Sequence, residues 1–261
     1  MSILAINKLT KSFGGVNAVT NVSMKINKGE LVGLIGPNGA GKTTVFNLLT
    51  GVYSSDSGSI QLLDQEQQKE LRGLKPYQIC KLGVTRTFQN IRLFKDLTVL
   101  DNVRIAMHQK VRYGLLPSFL HLPSYKREER RLMKECMELL SIMELDDKKS
   151  ELAKNLPYGQ QRRLEIARAL ATKPVLLLLD EPAAGMNPAE TTQLTQLIQW
   201  IQCKFDLTIL LIEHDMSLVM KICRRIYVLN YGMLIAEGTP DEIKNNKQVI
   251  KAYLGEDVSH A

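Results

Sequence analysis

The chain of 261 residues has one tryptophan, four histidines and four cysteines, and each scarcity excludes something. Aromatics make up 6%, and none interleave with a basic stripe, so the stacking platform of a nucleic-acid binder is missing. Cys80, Cys136, Cys203 and Cys223 are scattered, without CxxC or paired spacing. That excludes a disulfide mini-protein and predicts reduced thiols. No His/Cys cluster has metal-ligand spacing. The longest purely apolar run, Val175 to Leu179, falls far short of the roughly 18 residues needed to span a bilayer. No basic segment followed by a long apolar one opens the chain, so no secretory signal is visible and a cytoplasmic location is expected. Internal repeats, low-complexity tracts and Gly/Ser linkers are also missing.

What is present is ordinary globular composition, 44% hydrophobic and 23% charged. The net charge of +7 is mild for this length and is compatible with an anionic membrane surface or with no charged partner. Val22, Met24 and Ile26 alternate with polar residues, as in a half-buried strand. Leu31 to Ile35 reads as a parallel strand covered on both faces. A Gly-rich turn follows, then a helix through Leu49 closed by Gly51, a loop over Ser54 to Gly58 and a short strand over Ile60 to Leu63. From Thr98 to about Glu144 the pattern turns helical, with Thr98 and Asp101 as a capping box. Gly114, Pro117 and Pro123 interrupt it, and Ser124 is placed to cap a second helix with a mixed-charge face (Lys126 to Arg131). After Leu156 a helix is expected over about Gln161 to Ala171, a strand over Val175 to Leu179, a helix opened by Asn187-Pro188 and a strand over Leu207 to Ile212. This alternation predicts an α/β fold with a mainly parallel sheet and one core, carrying an inserted helical block over about 98–155.

Two motifs carry chemistry. Gly36-Pro37-Asn38-Gly39-Ala40-Gly41-Lys42-Thr43 fits G-x-x-x-x-G-K-[ST], with an apolar strand before it and a helix after it. Glycines let backbone N–H groups converge on phosphate oxygens, and the helix N-terminus adds positive potential. Lys42 is placed for the β- and γ-phosphates of ATP, Thr43 for Mg²⁺ and Thr44 for a more proximal phosphate. The run Val175 to Leu179 ends in Asp180 and Glu181, at the end of a strand where ligands bind in open α/β sheets. Asp180 suits the Mg²⁺ shell, and Glu181 suits the polarisation of an attacking water.

With these motifs, the chain resembles an ABC-transporter ATP-binding subunit over nearly its whole length. Leu156-Pro157-Tyr158-Gly159-Gln160 matches the LSGGQ-type signature in position, His214 the switch histidine, and Gln89 the Q-loop glutamine. Ala183 to Asn187 matches the D-loop, and Phe13 the aromatic that stacks on adenine. The stretches Tyr158 to Arg168, Glu181 to Pro188 and Leu210 to Met220, with the insertion Met107–Arg130 and the ending Val249 to Gly255, resemble branched-chain amino-acid importer ATPases in particular.

The resemblance implies a P-loop core with a small antiparallel β subdomain and an inserted helical subdomain, together a single ATPase domain over 1–261. It also implies ATP hydrolysis with Mg²⁺ held by Thr43, Gln89 and Asp180, and Glu181 and His214 as catalytic residues. Tyr158, Gly159, Gln160 and Asn187 would face a partner's nucleotide. The implied partners are a second ABC ATPase, two membrane permeases and, indirectly, an extracytoplasmic binding protein, with the chain peripheral on the inner face of the membrane. A different cargo, such as lipid, and a soluble non-transport ABC ATPase are the alternatives.

Three departures stand out. Pro157 replaces the signature serine and has neither hydroxyl nor N–H to offer. Tyr158 replaces the following glycine, and Asn187 replaces the D-loop aspartate. Smaller signals stay open: Ile91, Leu93 and Phe94 as core or as a groove floor for a permease helix, and Lys110, Arg112, Lys126, Arg127, Arg130 and Arg131 as a solvated face or near lipid headgroups. Met216, Met220 and Met233 are expected to pack.

Overall fold

The structure is a computed structural model that describes residues 1–64, 67–108 and 123–254. Lys110, Arg112, Gly114, Pro117, Gly255 and much of the predicted insertion lie outside the described residues. The chain divides into two compact units, Met1–Arg86 with Val175 onward, and Thr87–Pro174. The second is wider at both ends than the helical block expected over 98–155.

In the first unit, β1 (Ser2–Phe13) and β2 (Val16–Asn27) form a hairpin whose alternation sets which face is buried. Val22, Met24 and Ile26 point into the core, and Ser23 and Lys25 point to solvent. Antiparallel pairing adds β4 (Ser57–Asp64) and β5 (Gln67–Glu70), in the order β2-β1-β4-β5. β4 is longer than the apolar pattern predicts. Ser57 and Ser59 have no hydrophobic signature, but they sit opposite Thr10 and Asn7 and are recruited by the β1 ladder.

A second sheet runs β10-β9-β3-β8-β7-β6. Its strands β3 (Leu31–Ile35), β6 (Val84–Arg86), β7 (Leu176–Asp180), β8 (Thr208–Ile212) and β9 (Arg225–Asn230) are parallel, with β10 (Met233–Gly238) antiparallel at one edge. Every residue of β3, β7 and β8 is buried, which is why 31–35, 176–179 and 209–212 carry no alternating polar residues. Each fully buried Leu, Ile or Val contributes about 1.5–3 kcal/mol relative to exposure. Leu34, Val45, Phe46, Leu178 and Leu210 belong to one core cluster beneath the end of the sheet where both motifs lie. Met233 is half exposed rather than packed. The helices α1 (Lys42–Leu49) and α2 (Pro76–Lys81) belong to this unit.

In the second unit, α3 (Val99–Met107) opens as its sequence predicts: the Asp101 amide donates to the Thr98 hydroxyl at 3.0 Å. The buried Asn102 side chain ties the preceding loop to α3, donating to Phe94 O and Thr98 O and accepting from Phe94 N. α4 (Pro123–Ile142) begins at Pro123, which fits the first helical position, so Ser124 lies in the first turn instead of capping it. Ion pairs Arg131–Glu128 and Arg104–Glu129 lie along its polar face. α5 (Tyr158–Ala171) starts three residues before the expected Gln161, with Pro157 in the N-cap position at φ −53°.

Candidate nucleotide site

Between β3 and α1 the chain reverses through a loop that only glycine can make at two points. A Cβ on Gly36 would lie 2.1 Å from Leu229 O, and one on Gly41 would lie 2.4 Å from Ala18 O. Both glycines also have positive φ, +151° and +101°. The loop is fastened from the side: Gly232 N donates to Ala40 O, and Thr20 N donates to Gly232 O. Asn38, Gly39 and Thr43 are exposed at its mouth. Gly41, the N-cap of α1, supplies no side-chain acceptor, so the first-turn N–H groups of α1 point at the loop interior. The Lys42 ammonium lies inside, donating to Gly36 O at 2.7 Å and Pro37 O at 2.9 Å. Burial lowers its pKa, and the nearby charges of Glu181 and Asp180 oppose that shift. The two sequence motifs are therefore electrostatically coupled.

Asp180 ends β7, buried, with Oδ2 accepting from Arg86 Nη2 at 2.5 Å. The same guanidinium donates to Asn47 Oδ1 at 2.6 Å and lies 5.3 Å from the Phe46 ring centre. Glu181 follows in a left-handed conformation, φ +46°, with its N–H donating to Ile212 O across to β8. Such a conformation in a non-glycine residue is costly and marks a place where geometry is imposed. Its Oε1 lies 2.7 Å from His214 Nε2 on a half-exposed imidazole. Glu213, buried beside His214, accepts from Ala183 N at 2.8 Å and from His214 N at 3.1 Å. Burial raises the Glu213 pKa, and these backbone donors oppose it. Asp215 caps α7 (Met216–Ile222), and its bond from the Ser217 hydroxyl lowers its pKa.

Phe13 is 43% exposed and packs edge-on against Tyr53, with ring centres 5.0 Å apart, so it is not a core residue. Asn187 is the N-cap of α6 (Pro188–Lys204): its Oδ1 accepts from Ala189 N and Glu190 N, and Glu190 reciprocates in a capping box. That oxygen is therefore engaged locally.

Gln89, Tyr158, Gly159 and Gln160 all fall in the second unit. Gln89 O accepts from Arg162 Nη2 at 2.8 Å, and Tyr158 OH lies 3.3 Å from the same nitrogen. The buried Gln160 Oε1 has no partner among the described residues. Ile91 and Leu93 are only partly buried and Phe94 is 46% exposed, so the core alternative for this stretch fails.

Sequence reasoning missed Arg86, Asn47, Glu213, Arg162 and Glu165. Glu213 alone had a visible signal, as one of three consecutive polar residues closing an apolar strand. Among the described residues no group of three or more His, Cys, Asp or Glu forms a metal cage. Hydroxyl and carboxylate oxygens of the Thr43 and Asp180 type suit Mg²⁺, which relies on one or two carboxylates, water and substrate phosphates.

Fold and loop together define a P-loop nucleotide-hydrolysing cassette. Residues 19–184 match the family described as ABC transporter, and residues 233–259 match the family described as branched-chain amino acid ATP-binding cassette transporter. The chain belongs to the ABC transporter ATP-binding family, whose members are ATPases coupled to transport. It is 50% identical to the high-affinity branched-chain amino acid transport ATP-binding protein LivG of Escherichia coli (strain K12), over 97% of this chain and 98% of that protein. BraF of Pseudomonas aeruginosa, of the same description, is 47% identical over 97% and 98%. The ADP conformation of MJ1267, an ATP-binding cassette of an ABC transporter, superposes with TM-score 0.82 at 30% identity, covering 98% of this chain and 99% of that one. An ATP-binding subunit of this kind works with membrane permeases, and no described helix is long and apolar enough to cross a membrane by itself.

Proposed function

We propose that this chain is the ATP-hydrolysing subunit of an importer for branched-chain amino acids, peripheral on the inner face of the cytoplasmic membrane. The observation that carries the cargo is the 50% identity to LivG along nearly the whole chain, joined by the branched-chain model over residues 233–259. The same C-terminal match favours amino-acid import over lipid or another cargo. The partners in this reading are a second ABC ATPase, two permeases and, indirectly, an extracytoplasmic binding protein. The two compact units act as one cassette over 1–261.

Within the site, backbone N–H groups of the Gly36 to Gly41 loop, Pro37 excepted, and of α1 cradle the phosphates of ATP, with Lys42 neutralising the β- and γ-phosphates and Thr44 on a proximal one. Phe13, 43% exposed, stacks on adenine. Thr43 and Asp180 would hold Mg²⁺, which would supply positive charge where the phosphates bear negative charge, and Gln89 is the further ligand that the family resemblance implies. Glu181 accepts a proton from the attacking water. Its 2.7 Å contact lets His214 hold that carboxylate in place while the exposed part of the imidazole faces the γ-phosphate. Tyr158, Gly159, Gln160 and the Asn187 loop serve a partner's nucleotide, so two cassettes must meet for either to turn over.

The test is uptake of labelled leucine, isoleucine and valine in cells lacking this chain, complemented with the parent or with Lys42→Ala. Loss of uptake restored only by the parent supports the reading. Unchanged uptake of all three, with loss of another solute, overturns the cargo assignment.

A further inference from the structure

The segment Thr87 to Phe94 contains no helix or strand, so its backbone groups must be satisfied elsewhere. Side chains of α5 satisfy several of them. Arg162 is fully buried and donates from Nη1 to Phe88 O at 2.6 Å and from Nη2 to Gln89 O at 2.8 Å. Its Nη1 also donates to Glu165 Oε2 at 2.7 Å, and Nη2 reaches Tyr158 OH at 3.3 Å. Glu165, one turn on, accepts from Phe88 N at 3.2 Å and from Arg92 N at 3.3 Å. A turn further, Arg168 donates to Arg92 O and lies 4.8 Å from the Phe94 ring centre. The Arg92 guanidinium closes back over the Phe88 ring at 4.0 Å.

We propose that Arg162 and Glu165 are positioning residues that lock the backbone of Phe88 to Arg92 onto α5, so that Gln89 and the Tyr158–Gln160 turn move as one body. The inference rests on the roles proposed above for Gln89 and for Tyr158 to Gln160. Three arguments support it. A buried ion pair is rarely the most stabilising choice, since well-packed apolar residues of similar volume do as well or better. The pair is therefore better explained by the geometry it enforces than by stability. Arg162 Nε is buried without a partner among the described residues, a cost accepted while both Nη atoms are fully used. The planar fork is what allows one side chain to bridge two successive carbonyls, a carboxylate and a phenol, which a lysine ammonium cannot do in the same geometry.

The test uses the full chain, alone and assembled with its permeases. Arg162→Met/Glu165→Leu removes both charges together, leaving neither buried and unpaired. Amide hydrogen exchange at Phe88 and Arg92 is expected to rise at least about tenfold, with the α5 amides unchanged. In the assembled transporter, kcat for ATP is expected to fall at least about fivefold while KM for ATP stays within about twofold. Unchanged protection at Phe88 and Arg92 overturns the lock. Lost protection with unchanged kcat overturns the coupling, provided Gln89→Ala lowers kcat in parallel. If Gln89→Ala leaves kcat unchanged, the role given to Gln89 is what falls, and the exchange result still decides the lock. Should the double variant not fold, Arg162→Lys keeps the charge but not the fork: partial loss of protection supports the proposal, and protection equal to the parent overturns it.

Discussion

Replacing Arg86 with methionine would leave the Asp180 carboxylate buried without its guanidinium. The two side chains are 6% and 4% exposed and meet at 2.5 Å, so solvent screens little of the interaction. Breaking a buried pair from one side costs about 3–5 kcal/mol. The Lys42 ammonium, electrostatically coupled to Asp180, remains and offsets part of the loss, which places the expected cost near the lower figure, about 3 kcal/mol. At about 2–4 °C per kcal/mol for a chain of this size, the melting temperature should fall by about 6–12 °C in calorimetry. Arg86→Met/Asp180→Leu removes both charges and should recover to within about 1 kcal/mol of the parent. With Asp180→Leu as the second single variant, the double-mutant cycle gives the coupling as the double-variant loss minus the sum of the two single losses. If Asp180 belongs to the Mg²⁺ shell as proposed above, the double variant should still fail to hydrolyse ATP. A single-variant loss below about 1 kcal/mol, or a double variant as unstable as the sum of its singles, would refute the reasoning.

Glu181→Gln keeps the length of the side chain and an oxygen for His214 Nε2 but cannot take a proton. Phosphate release by the assembled transporter should drop about 10²–10⁴-fold with ATP binding retained, and undiminished release would remove Glu181 from its role. The cysteines should divide sharply toward maleimide at about pH 8. Burial pushes the Cys136 thiol to about 11 and the Cys223 thiol to about 12, so both stay protonated and shielded, whereas Cys203 is exposed. Mass spectrometry should find label on Cys203 first, and on Cys136 and Cys223 only after unfolding. Equal labelling rates in the native chain would contradict the burial.

The strands that hold the motifs were legible because burial on both faces leaves a plain mark: Leu31 to Ile35 is found as read, and the apolar run after Val175 shifts by one residue so that Asp180 becomes the strand's last residue. The caps were legible for a similar reason, since Thr98 and Asn187 are residue types whose side chains bond the next turn. What sequence could not give was pairing across long separations. Arg86 lies 94 positions from Asp180, and Arg162 lies 74 from Phe88, so no local pattern joins them. Ser57 and Ser59 entered a strand for the same reason, through a ladder partner 47 or more residues earlier.

The departures from the general signature have a local physical account. Pro157 cannot donate a hydrogen bond, but its φ of −53° leads the chain directly into α5 and brings the helix start forward to Tyr158. Tyr158 occupies a position where glycine is usual, yet its hydroxyl meets Arg162, the residue that also grips Phe88 and Gln89. Asn187 lacks the charge of aspartate but uses its oxygen on the first amides of α6. In each case the substituted side chain is committed to its own helix. If this turn serves a partner's nucleotide, the contacts left to offer are the Gly159 N–H, the Gln160 amide and the positive end of the α5 dipole. Restoring Pro157→Ser should then add a hydroxyl at the helix entrance. Turnover should rise in the partner's half-site while this chain's own ATP affinity, read by fluorescent nucleotide binding, stays the same. A change confined to this chain's own affinity would place the turn on the wrong nucleotide.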